Sequence, residues 1–460
     1  MQTRHNLEIS SIMFNYDNYK EKSVIGKYVN RNKISEFLNK IRSNDRYELK
    51  TIGKSYEGRI IDLIKIGNGK TKVLFWSQMH GDESTSTRAI LDLINFFEAN
   101  DDTNSLRERI LENISLYIIP MLNPDGAEIF TRRNAQQIDI NRDAIAQQSP
   151  EGKLLYEIKN EVKPDFAFNL HDQSSGYSAG RNYRSSTISL LSPPFNYNAD
   201  INDTRKKAMQ LIVSLYDELS QIIPGHIARY SDEFEPRAFG DNFTKDGIPT
   251  ILIEAGGWAS DPDREFVRKL FFNSLIKSLL AISENSLSNY DENNYFNIPE
   301  NKELLFDLIL RNVNVKKNNS VHKIDIAVKR EPFLDSTENK VYYKGIIADI
   351  GDLSTFYGYD EIDVSNLFLH HPKVEQTNKL GLFDLLKNGV LFKKELSKSD
   401  FTEIPINFYS KTQPNTELQV DGFANFYLTT NNEIKFAIIN GYLIDLTKPL
   451  NFEGNGLNFH

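Results

Sequence analysis

Four apolar runs in the chain stop at residues that can do chemistry. VLFWSQM, 73–79, leads into His80-Gly81-Asp82-Glu83, and ISLYIIPML, 114–122, leads into Asn123-Pro124-Asp125-Gly126. DFAFNL, 165–170, leads into His171-Asp172, and PTILI, 249–253, leads into Glu254-Ala255-Gly256-Gly257. His80 and Glu83, three residues apart at a strand–helix junction, can aim an imidazole and a carboxylate at one point. With His171 they form a His₂Glu set, which suits a catalytic zinc that keeps one position open. A lone HxxE string recurs by chance, but the neighbouring strings supply further roles. Glu254 follows an apolar run, where a carboxylate is costly unless paired, metal-linked or protonated. It reads either as a general base acting on a metal-activated water or as one half of an ion pair with a nearby arginine. The stretch FTRRNAQQIDINRD, 130–143, packs Arg132, Arg133, Asn141 and Arg142 close to the Asn-Pro-Asp-Gly turn. One arginine there can stabilise a developing oxyanion. A second, with an Asn beside it, can grip a carboxylate bidentately. The other reading of this stretch is a solvated basic loop.

These residues are far apart in sequence, so a fold must gather them. From about residue 46, strand-like and helix-like segments alternate. RIIDLIKI (59–66), the four runs above and the helical segments at 84–99, 153–162, 205–223 and 263–282 predict an α/β layer fold with a largely parallel or mixed sheet flanked by helices. Ligands of such sheets bind beyond the carboxyl ends of the strands, which is where the polar strings sit. RNKISEFLNKIR, 31–42, places Ile34, Phe37, Leu38 and Ile41 at helical spacing within an N-terminal extension over 1–45. Residues 174–198 read as a long Ser/Gly/Pro-rich loop that walls the site, 286–301 as a polar linker and 302–311 as a helix. Beyond it the pattern becomes β-rich, giving a catalytic domain over 46–285 and an accessory domain over 302–460.

Composition limits the alternatives. The 460 residues include no cysteine and eight histidines, which excludes disulfides, thiol nucleophiles, iron–sulfur clusters and thiolate zinc sites. A net charge of −9 argues against nucleic-acid binding. No run approaches the length of a membrane span, so membrane insertion is not expected. The first residues lack the apolar stretch of a secretory signal, which predicts a cytoplasmic protein on the chain as it stands, or a periplasmic or secreted one if a leader has been removed.

Taken in order, His80-Gly-Asp-Glu83, Asn123-Pro-Asp-Gly126, Arg132 to Asp143, Asn-Leu-His171 and Ile-Glu254 resemble the M14 zinc metallocarboxypeptidases, bacterial branch, over about residues 50–285. The resemblance implies one zinc per chain on His80, Glu83 and His171, and Glu254 as general base. It implies Arg132, rather than Arg133, as the carbonyl-polarising arginine, and Asn141 with Arg142 as the pair that holds a substrate's terminal carboxylate. The implied activity is hydrolysis of the C-terminal peptide bond of a peptide or peptide-like substrate. Two departures stand out. Asp82 replaces the family's frequent Arg or Asn, and counting back from Asp241 puts Glu233 to Glu235 where pancreatic members carry a tyrosine that closes over substrate. Tyr230 is the nearest tyrosine to that place. Gly240, before Asp241, offers no charge to a substrate side chain. Competing expectations are another zinc amidohydrolase on the same scaffold, acting on cell-wall peptides or acyl-amino acids, and a binding module without catalysis.

Overall fold

The computed structural model describes Met13 and residues 15–375, 382–394, 401–402, 406–409, 415–431, 433–448 and 456–459. Its chain divides into two compact units, Met1–Glu303 and Leu304–His460.

An eight-stranded mixed sheet runs through the first unit. Its strands are β1 (Tyr47–Lys54), β2 (Ile60–Ile66), β3 (Thr71–Ser77), β4 (Ile114–Ile119), β5 (Phe166–Asp172), β7 (Ile188–Leu191), β8 (Ile227–Arg229) and β9 (Thr250–Ala255); the short β6 (Tyr177–Ala179) lies outside it. The spatial order is β1-β2-β4-β3-β5-β9-β7-β8. The central four, β4-β3-β5-β9, are parallel, while β2 and β7 flank them antiparallel.

Helices cover both faces, so the central strands bury both sides and read as unbroken apolar runs rather than alternating ones. On one face, Phe75 and Phe168 pack with α1 (Arg31–Arg42), α2 (Thr85–Glu98), α3 (Asn104–Asn113), α6 (Asp203–Ile222) and α8 (Glu265–Ser283). On the other, Leu74 and Trp76 pack with α5 (Pro150–Val162) and α7 (Phe239–Lys245). The short α4 (Pro124–Glu128) starts with the side chain of Asn123 accepting from Gly126 N. The α1 stripe is the expected one, with Ile34, Phe37, Leu38 and Ile41 buried.

Three expectations change. The 302–311 segment is not a helix. Asn301–Glu303 forms β10, and Leu305–Lys317 is a long strand. Leu305, Phe306, Leu308, Ile309 and Leu310 are all buried, and a run covered on both faces has no periodicity to separate strand from helix. Residues 174–198 are not one loop, because β6 and β7 lie within them and β7 joins the main sheet beside β9. Residues 286–301 carry 3₁₀ turns at Leu287–Asn289 and Glu292–Asn297, packed on the first unit through buried Leu287, Tyr295 and Ile298.

The second unit holds an eight-stranded sheet built on the antiparallel meander Leu305–Lys317, Ser320–Asp335 and Lys340–Gly351, with its own core around Leu308, Val328 and Phe426. No helix among the described residues is long and apolar enough to cross a membrane. His5 and His460 lie outside the described residues.

A buried ion pair ties the N-terminal segment to the helices of the first unit. Arg268 on α8 grips Asp92 on α2 at 2.6 and 2.7 Å, both side chains fully buried, and Tyr16 Oη donates to the same carboxylate at 2.7 Å. Arg268 also donates to the Val24 and Glu21 carbonyls. Removing one partner strands a buried charge. Arg268→Met is therefore expected to lower unfolding stability by about 3–5 kcal/mol, read as a lower urea midpoint; an unchanged midpoint would contradict this.

Candidate metal centre and substrate cleft

All the chemistry-bearing strand ends meet at one edge of the sheet. His80 follows β3 after Gln78, whose φ of 47° turns the chain out of the strand. Gln78 is held there by its amide donating to the Val29 and Gly81 carbonyls. The turn backs directly onto α4: a Cβ added at Gly81 would lie 2.0 Å from the Gly126 carbonyl carbon, and one at Gly126 would lie 2.6 Å from the Arg133 carbonyl oxygen. These two approaches explain why both the His-Gly-Asp-Glu and the Asn-Pro-Asp-Gly strings need glycine.

Glu83 is the hub. Its Oε1 lies 2.8 Å from His80 Nδ1, and its Oε2 lies 2.8 Å from His171 Nδ1 and accepts from Asp172 N at 3.1 Å. The two imidazole centroids are 4.8 Å apart. One donor atom from each of the three residues lies within 4.8 Å of the other two, and all three residues are buried. Burial works against the Glu83 anion, but the two imidazoles outweigh it and hold its pKa well below the usual range. His171 Nε2 is buried without a hydrogen-bond partner.

The donor chemistry fits a cation. His80 Nε2 lies 3.1 Å from Asp139 Oδ1. When that contact carries the Nε2 proton, the Nδ1 lone pair faces the Glu83 carboxylate, and Arg132 Nη1, 3.1 Å from Nδ1 and 3.3 Å from Oε1, is shared between these two acceptors; a cation bound by both would satisfy them in its place. Two imidazoles and a carboxylate are the set a catalytic zinc takes.

Asp139 has no role in the sequence reading, yet it links three parts of the cleft. Its Oδ1 meets His80 and caps the 3₁₀ turn Ile140–Arg142 by accepting from Asn141 N at 3.0 Å. Its Oδ2 accepts from Arg132 Nε at 3.1 Å. The signal for it in the sequence is the requirement that a ligating imidazole have an acceptor behind it.

Arg132 points into the cluster, with Nη1 3.3 Å from Glu83 Oε1, whereas Arg133 donates to the Gln137 carbonyl. Glu254 lies beside His171, because the β5–β9 register pairs those two residues. Its Oε2 is buried and unpartnered, so no ion pair of the kind open in the sequence is formed at that atom. Burial first, and the Glu83 charge second, raise its pKa well above that of an ordinary glutamate.

Asn141 and Arg142 directly follow Ile140, with Asn141 Oδ1 accepting from Phe239 N at 3.1 Å and Arg142 Nε 3.2 Å from Glu235. Tyr230 follows β8 and faces Tyr177, ring centroids 6.1 Å apart. Burial and the Glu254 charge raise its pKa, which keeps the phenol a donor. Asp82 is pushed up to about 6 by burial and by Glu83. Outside the cleft, His371 Nδ1 lies 2.7 Å from the Thr416 carbonyl oxygen.

Over part of its length the chain is similar to zinc carboxypeptidases. Residues 34–187 match the family model described as zinc carboxypeptidase. Carboxypeptidase SOL1 of Arabidopsis thaliana is 36% identical over 101 residues, 21% of this chain and 21% of that protein. A zinc carboxypeptidase of Saccharothrix mutabilis subsp. capreolus is 31% identical over 86 residues, 17% and 20% of the two chains. The match thus spans about a fifth of the length of these relatives. Among solved structures, a metallo-carboxypeptidase from Burkholderia cenocepacia aligns over 56% of this chain and 69% of its own, at 14% identity and a TM-score of 0.44. A metallo-carboxypeptidase from Pseudomonas aeruginosa aligns over 56% and 69%, at 19% identity and a TM-score of 0.45.

The cluster predicts how metal uptake depends on pH. Burial disfavours the His80 cation, but Glu83 and Asp139 outweigh it and raise its pKa to about 9. A ligating imidazole must be neutral. Protons therefore compete with zinc below that pH, and apparent zinc affinity rises from pH 6 towards 9 and levels off above it. Equilibrium dialysis reads this directly, and a flat profile would contradict it. Asp139→Ala is expected to weaken zinc binding about 10–100-fold in the same measurement.

Proposed function

We propose that the chain is a zinc-dependent metallocarboxypeptidase that hydrolyses the C-terminal peptide bond of a peptide or peptide-like substrate. It takes one zinc per chain at His80, Glu83 and His171. The observation that carries the reading is that cluster beside a buried unpartnered Glu254 carboxylate oxygen; Asp139, which meets His80, also caps the turn that bears Asn141 and Arg142.

Zinc bound there supplies Lewis-acid polarisation of a carbonyl and acidifies water. The chain's own residues do the rest. Asn141 and Arg142 hold the substrate's terminal carboxylate, which places the last peptide bond at the cluster. Arg132, braced by Asp139 and Glu83, donates to the carbonyl oxygen as negative charge develops on it. Glu254 accepts a proton from the attacking water. Its raised proton affinity suits that step, and it hands the proton to the leaving nitrogen as the carbon–nitrogen bond breaks. Tyr230 remains protonated and available as a donor to the bound peptide.

Glu254→Gln keeps the shape and removes the base. Hydrolysis of blocked dipeptides is expected to fall about 10²–10⁴-fold while one zinc per chain is retained in metal analysis. Full activity in that variant would sink the mechanism. Arg142→Met is expected to raise KM about tenfold or more for substrates with a free terminal carboxylate and to leave kcat nearly unchanged. Release of product only from N-acyl amino acids or murein peptides would favour the other zinc amidohydrolases over a carboxypeptidase.

A further inference from the structure

The loop after β8 carries a charge that the hydrolytic steps do not use. Glu235 lies 3.2 Å from Arg142 Nε. Its carboxylate also accepts from Arg237, through the backbone N at 3.1 Å, Nε at 2.9 Å and Nη2 at 2.8 Å. Arg237 is the main cause of a pKa lowered to about 2, so Glu235 is an anion at any practical assay pH.

Its hold on the two arginines is unequal. Arg237 grips it with both prongs of the guanidinium and with the backbone. Arg142 meets it through one ion-pair contact, and another Arg142 donor, Nη1, goes to the Asn141 carbonyl at 2.8 Å. Arg142 is the looser partner, and it is also the residue that a substrate carboxylate must take. The loop and this cradle are stitched together: Phe239 N donates to Asn141 Oδ1 and Ala144 N donates to the Arg237 carbonyl at 3.1 Å. Glu235 is therefore held close to the cradle whether or not Arg142 is free.

An anion resting there either steadies the guanidinium or competes with the incoming carboxylate. Two carboxylates sharing one half-exposed guanidinium repel at close range. The steadying offered by a single exposed ion pair is small by comparison, and the Asn141 carbonyl already supplies an anchor. We propose that Glu235 is a specificity-determining counter-ion: it occupies Arg142 in the free protein, and the substrate's terminal carboxylate must displace it while Arg237 retains it. The inference rests on the reading of Arg142 as the carboxylate grip. It follows that a last residue carrying a second negative charge is disfavoured.

Calorimetry reads the affinity, using N-benzoylated dipeptides ending in alanine or glutamate and protein carrying Glu254→Gln so that turnover does not interfere. Adding Glu235→Gln is expected to tighten the alanine-ended peptide about fivefold at low salt and the glutamate-ended peptide more. Arg237→Gln releases Glu235 to pair fully with Arg142 and weakens both by a similar factor, and the double variant behaves as Glu235→Gln alone. Unchanged or weakened binding in Glu235→Gln overturns the proposal. So does an Arg237→Gln variant that fails to weaken binding, and a loop with a merely structural role would lose affinity in both variants. Opposite shifts in a protein whose Glu254 form hydrolyses no peptide would overturn the carboxypeptidase reading and leave the role of Glu235 standing.

Discussion

A carboxylate held between two imidazoles in a site almost closed to water is the constraint on which the first unit turns. Glu83 stays ionised there because His80 and His171 both reach it at 2.8 Å, with Asp172 N and Arg132 donating to it as well. That contact demands two strand ends in register and a turn after β3 tight enough to bring the i+3 residue back. The left-handed Gln78 and the crowded Gly81 are the local terms of that demand. The β5–β9 register then fixes Glu254 beside His171 without any further device.

The groups around the hub feel its charge. Glu254 and Asp82 both have raised proton affinities, with burial the larger cause and the Glu83 anion the second. His80 is raised to about 9 because carboxylates press on it from both ring nitrogens. All three shifts include a contribution from the Glu83 carboxylate, which stands behind burial in Glu254 and Asp82. A divalent cation at the three converging donors would relieve all of them together.

Much of the cleft was legible in the sequence because its residues sit at strand ends, where apolar runs stop abruptly. The grouping of His80, Glu83, His171 and Glu254 needed only the order of the strings and the α/β layer logic, whereas the choice of Arg132 over Arg133 came from the family resemblance. Asp139 was not legible, since its role comes from a hydrogen bond across 59 residues rather than from its neighbours. Glu235 shares that difficulty, because it faces Arg142 through space from a separate loop. Among the elements, the misses were those with weak periodicity. β7 is four residues long and hidden in a Ser/Pro-rich stretch. The strand Leu305–Lys317 is covered on both faces at its start, so its apolar pattern could not be told from a helix.

The segment before residue 304 changes how the end of the first unit is understood. It reads as a linker, yet β10 pairs antiparallel with β6, and Asn301 Nδ2 donates to Gln173 two residues past His171. Gly180 N donates to the Glu300 carbonyl, and Arg229 N donates to the Pro299 carbonyl one residue before Tyr230. The polypeptide that leads towards the β-rich unit is therefore part of the wall that carries Tyr177 and Tyr230. Those two tyrosines are positioned by backbone hydrogen bonds to a strap that the cleft's own motifs do not include. A polar, aperiodic stretch can thus be a structural strand when its partners are backbone groups, because ladder hydrogen bonds leave no mark on side-chain composition.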